Sequence, residues 1–148
     1  MLLEATRLIE HVHGHLGWLA AATLVHPAIV LRSRTRRAHY AVGLSTAFVT
    51  VAAGLGVWLY EAYRERLKQG IFVHAPSIGL LFERKEHLAV GAVLLAWAGA
   101  AAYFAAGSAD EPMRERLRTI AFRAYCGAAS LAVLVAVLGT VVAVYRGF

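Results

Sequence analysis

The sequence predicts an all-α integral membrane protein, a four-helix bundle with antiparallel up-down topology in a single domain over residues 1–148. Two observations carry this. The chain is 59% hydrophobic with a mean hydropathy of +0.59, where a soluble domain is nearer half apolar. The excess is gathered into four runs, approximately 11–31, 41–60, 88–106 and 124–145. A helix needs about 20 residues to cross the hydrocarbon layer, and helix is the state in which each run satisfies its own backbone.

The first run, Leu16 to Leu31, reaches spanning length when His11 to His15 are counted as helix. It is read as a span, since a basic leader and a small-residue cleavage site are missing and a second span follows at once. Gly43, Gly54, Gly56, Gly91, Gly99, Gly127 and Gly139 punctuate the later spans. Small residues let helices approach closely in lipid; the same spacing is also compatible with room for a flat cofactor. Trp58, Tyr60, Tyr63, Tyr103 and Tyr145 fall near span ends, as in an interfacial aromatic belt.

The connections differ in character. Arg32 to Arg37 form a short basic turn, and Gly107 to Arg118 a polar one. Between spans two and three, Glu61 to Lys68 reads as a helical extension with Gly70 as its stop. Ile71 to Phe82 reads as an apolar segment that lies in the interface or folds over the bundle end, with Ser77 capping the helix that enters span three. Eight Lys and Arg flank the first and third connections and seven the opposite face. With the dense turn after span one, this places both termini outside. The Ala- and Arg-rich composition points to a bacterial inner membrane, with the termini periplasmic. The net charge of +6 is distributed at the ends of spans, which suits anionic lipid and argues against nucleic acid. One cysteine, Cys126, excludes an intrachain disulfide and a Cys-based metal cluster.

Seven histidines in so apolar a chain focus attention on their placement. At about 100° per residue, His11, His15 and His26 lie within about 60° of one another, and His15 and His26 are about 16 Å apart along the axis. His13 points elsewhere and is read as incidental. Antiparallel spans bring His87 level with His11 and His15, and His39 near the level of His26. Two imidazoles at each of two depths predict haem b, one or two per chain, in a slot between helices. The expected ligands are His15 with His87 and His26 with His39. His11 is the alternative, and Arg37 and Arg84 are placed to pair with propionates.

His26-Pro27 and Arg36-Arg37-Ala38-His39, on a four-span layout, resemble the small b561-like membrane cytochromes. That resemblance implies haem b and quinol-linked electron transfer in a respiratory chain. Span four departs from it in having no histidine. Two alternatives stand beside it. His11-x-x-x-His15 and Glu83-x-x-x-His87, with Glu10 and His74 nearby, offer a zinc, copper or iron site at one face. A chain with so little outside the bilayer also suits a non-catalytic accessory subunit or assembly factor, within a larger membrane complex or homo-oligomer.

Overall fold

The computed structural model describes the backbone of residues 2–33, 38–66 and 68–145, with side chains within 8–33, 38–65 and 68–144. It is all-helical among these residues: α1 Leu2–Arg32, α2 His39–Arg66, α3 Lys68–His74, α4 Pro76–Ala105 and α5 Glu111–Tyr145. α1, α2, α4 and α5 are each long and apolar enough to cross a membrane. Around the bundle, α1 packs on α2, α2 on α4, α4 on α5 and α5 on α1, which leaves α1 and α4 diagonally opposed.

The helices outrun the apolar runs because polar turns continue them into the interface. α5 begins at Glu111, whose carboxylate lies in the first turn, where it complements the helix dipole. Arg114 holds this corner by donating to the Glu111 carboxylate and the Ala109 carbonyl, each at 2.8 Å.

The core is built from alanine. Ala92, Ala96, Gly99 and Ala102 of α4 are buried against α5, which buries Ala121, Ala124, Ala128, Ala132 and Ala136. Such faces bring backbones together, and the glycine notches of α4 and α5 are filled by neighbouring side chains, whereas Gly43 and Gly54 of α2 face open space. A Cβ on Gly91 would lie 3.2 Å from Leu131, one on Gly127 3.0 Å from Leu95, and one on Gly99 2.9 Å from Tyr125. These glycines serve packing. Tyr125 is fully buried and crosses the bundle to α2, where its hydroxyl lies 2.6 Å from Thr46 Oγ1 and donates to the Val42 carbonyl at 3.2 Å.

Proline inside α1 is accommodated by α2. Pro27 has no N–H to give the Thr23 carbonyl four residues back. Ser45 Oγ of α2 donates to that carbonyl at 2.7 Å, and also lies 2.6 Å from the Ala41 carbonyl of its own helix. The His26-Pro27 pair thus has a structural half: the proline bares a backbone acceptor through which α2 is fastened to α1.

The middle connection departs from expectation at two residues. Gly70 does not stop a helix; it lies inside α3, with no glycine at positive φ among the described residues. Ser77 is not the cap; Ala75 occupies that position without a side-chain bond, and Pro76 opens α4. Proline's fixed φ suits the first helical position, where its missing N–H would have no helical partner. α3 lies along α4, with Phe72 over Gly79 and Lys68 Nζ 2.9 Å from Glu83 Oε1. Beneath it a second, smaller core gathers Tyr63, Phe82 and Val142, the two aromatic rings stacked at 3.8 Å.

Candidate functional site: outward histidines and one turned inward

α1 sorts its histidines by face. Its buried stripe runs Ala20, Ala21, Leu24, Pro27, Leu31. Continued backwards at helical spacing, that stripe passes through Gly17 and His13. His11, His15 and His26 lie on the opposite stripe, with Leu8, Ala22 and Ile29, and all three are exposed. The angular alignment of His15 and His26 therefore places them on one face, and that face points away from the bundle.

The remaining expected ligands do not converge with them. His87 is exposed on α4, diagonal to α1. Its Nδ1–H donates to the Glu83 carbonyl at 2.8 Å, which leaves Nε2 as the bare nitrogen. His39, also exposed, leans onto α4: its Nδ1 is 3.2 Å from the Tyr103 hydroxyl, which accepts the Ala38 N–H at 2.8 Å. Arg84 is exposed, and Arg37 lies outside the described residues. His74 is exposed at the end of α3. Among the described residues, no three His, Cys, Asp or Glu side chains stand close enough together to hold a metal ion. The set His11, His15, His74, Glu83 and His87 is thus not assembled within one chain.

A bis-imidazole haem site needs two rings facing each other across a slot. Within one chain His15 and His87 occupy opposed corners of the bundle, His39 is engaged by Tyr103, and the interior is filled by alanine, leucine and Tyr125. The residues present do not fit an intrachain haem. A shallow apolar groove of about 410 Å³ lies between α2 and α4, lined by Gly43, Thr46, Ala47, Trp97 and Phe104. Trp97 Nε1 closes one side of it by donating to Thr50 Oγ1 at 2.9 Å.

The histidine read as incidental, His13, is the one that turns inward. Its ring sits in the notch of Gly56, where an added Cβ would lie 3.0 Å from Cε1. Its Nδ1 is buried without a hydrogen-bond partner. Lys85 of α4 lies near enough to act on it electrostatically. The Lys85 ammonium stands 4.3 Å from the centre of the Phe82 ring, and its stem passes 3.8 Å from where a Gly139 side chain would begin. The inward-turned imidazole and its neighbouring ammonium thus lie at the end that α3 covers, while the Ser45 and Tyr125 hydroxyls are bonded farther along the bundle. The signal for the inward imidazole was the Gly56 notch and the inward stripe that His13 continues.

Comparison with protein-family models, with curated proteins and with solved structures returned no match.

Proposed function

We propose that this chain is a non-catalytic accessory subunit of a membrane complex, acting by lateral association within the bilayer. The observation that supports it is the pairing of a filled interior with histidines that face outward from α1. An imidazole about 9 Å inside the Arg32 end of the span, directed at hydrocarbon, lacks the polar partners that such groups take inside membranes. A neighbouring protein supplies them. The proposal places the complex in a bacterial inner membrane with both termini periplasmic. Thiol labelling of cysteines added at either end tests that orientation.

A second reading is favoured by one bond. His87 gives its Nδ1–H to a backbone carbonyl, as metal-ligating imidazoles do with their second nitrogen, and offers a bare Nε2 outward. On this reading haem b, and with it a quinol-linked redox role, belongs to a position shared between chains.

The optical spectrum of the purified full-length chain separates the two. Accessory function predicts no Soret or split α band, with the protein migrating as part of a larger species. A reducible bis-imidazole spectrum that is lost in both His26→Ala and His87→Ala supports shared haem. The same spectrum from a strictly monomeric preparation overturns both readings.

A further inference from the structure

We infer that the partner on α1 is a second copy of this chain, paired in parallel about a two-fold axis along the membrane normal, with His15 and His26 each meeting its own counterpart. The inference rests on lateral association as the chain's mode of action and names the partner. α1 is the least apolar of the four spans, yet no more of it is buried than of α2 or α4. The outward faces of α2 and α5 are apolar, with Leu44, Val51 and Val57 on one and Val133 and Val137 on the other. The outward face of α1 instead carries imidazoles at two depths about 16 Å apart.

Self-pairing follows from chemistry and symmetry together. Copies of one membrane protein share an orientation, so a residue at a given depth meets its own depth on the neighbour. A two-fold interface joins a patch to itself. A patch of lysine or glutamate would repel its copy. A neutral imidazole has one N–H donor and one bare nitrogen acceptor, so it is complementary to itself. A different chain would have to present matching polar groups at both depths, whereas a second copy does so by construction. Residues 11–31 contain no Asp, Glu, Lys or Arg to oppose the approach. Leu8, His15, Ala22 and Ile29, seven residues apart, form one continuous line along the exposed stripe. Ala22 lets the backbones close at its midpoint. Trp18 leaves it clear by reaching sideways, its Nε1 3.3 Å from Thr140 Oγ1 of α5.

The test is thiol cross-linking of the full-length chain in native membranes, in a Cys126→Ser background. Ala22→Cys on the proposed seam is compared with Val133→Cys on the outward face of α5. Mild oxidation is expected to give a covalent homodimer from Ala22→Cys at no less than ~10-fold the yield from Val133→Cys, since a disulfide needs Cα atoms within about 7 Å. In proteoliposomes, His26→Leu is expected to lower the dimerisation constant about threefold, the effect of one typical interhelical hydrogen bond in a membrane. Equal yields at both positions, or a dimer fraction unmoved by a combined His15→Leu and His26→Leu, overturn the pairing. A cross-link from Ala22→Cys to a different, heavier chain overturns self-pairing while lateral association stands. No Ala22→Cys homodimer, with the protein still migrating above its 16.0 kDa monomer mass in mild detergent, overturns self-pairing while lateral association stands; no homodimer and a monomeric protein overturn both.

Discussion

At the scale of single residues, the structure separates histidines that composition treats alike. His13 fills a notch that Gly56 leaves for it, whereas His26 on the same helix touches no core. Truncating a packed ring removes contacts and leaves a void. His13→Ala is therefore expected to lower the unfolding free energy of the chain in micelles by about 1–3 kcal/mol. His26→Leu, at an outward position, is expected to stay within about 0.5 kcal/mol of wild type in the monomer. Equal effects at the two sites would show that the face assignment of α1 is wrong. The bond from Ser45 to the carbonyl that Pro27 leaves open gives a second contrast. Ser45→Ala should cost about 1 kcal/mol. Adding Pro27→Ala should recover part of that loss, because the new N–H reaches Thr23 from within α1. Additive losses in a chemical-denaturation cycle would count against the compensation. The proline was legible in the sequence, but its partner was not: nothing local to Ser45 says which carbonyl lacks a donor.

At the scale of elements, the four spans were readable because lipid permits so few alternatives to helix, and their number and order stand as expected. Their ends were not. Apolar runs mark where a helix is greasy, and α5 begins at Glu111, well before the run that opens at Ala124. The alignment of His15 with His26 was also readable, being a matter of 3.6-residue periodicity. Whether that face looked in or out required the competing stripe of Ala20, Leu24 and Leu31 to be weighed against it. Gly70 was misjudged because glycine ends helices only where the chain must turn left-handed, and α3 passes through it without doing so. The docking of α3 rests on Phe72 over Gly79 and on the Lys68–Glu83 pair. The Glu83 carboxylate, hydrogen-bonded to Lys68, holds that ammonium above its usual range. A raised lysine stabilises the docked state fully below the unfolded value of about 10.4, and the contribution fades as pH climbs through the folded value. Hydrogen-exchange protection over Lys68–His74, corrected for intrinsic rates, is thus expected to hold steady to about pH 9 and fall above about pH 10.4. Gly79→Ala should strip it at every pH, since the new Cβ would stand 2.7 Å from the Phe72 ring. Protection that ignores both perturbations would mean α3 is held by something else.

At the scale of the whole molecule, the interior is closed to a broad planar guest, and the chemically distinctive groups are displaced to its perimeter or to one capped end. Small side chains achieve the first. Alanine faces on α4 and α5 bring the helices to backbone proximity, and Tyr125 ties the opposite corner across the axis. The sequence allowed glycine to mean either tight packing or a vacancy, since both use the same residue. What decided between them was which large side chain stood opposite, a three-dimensional fact. The second follows from the first: once the axis is filled, His11, His15, His26 and His87 lie outward, His39 leans onto the Tyr103 hydroxyl, and only His13 finds a notch inside.

The exchange between α4 and α5 also constrains how the protein can change. Leu131 enters the gap at Gly91 while Leu95 enters the gap at Gly127, so each helix is both bolt and socket for the other. Neither can slide by a turn without withdrawing both bolts together. Enlarging a socket residue alone, as in Gly127→Ala, should cost no more than about 1 kcal/mol, since alanine favours the helix and only the mobile end of Leu95 stands 3.0 Å from the new Cβ. Shortening its bolt as well, Leu95→Val, should return at least about 0.5 kcal/mol as coupling in a double-mutant cycle. Lineages that lose the glycine are therefore expected to trim the facing leucine in step, and the two positions drift as one.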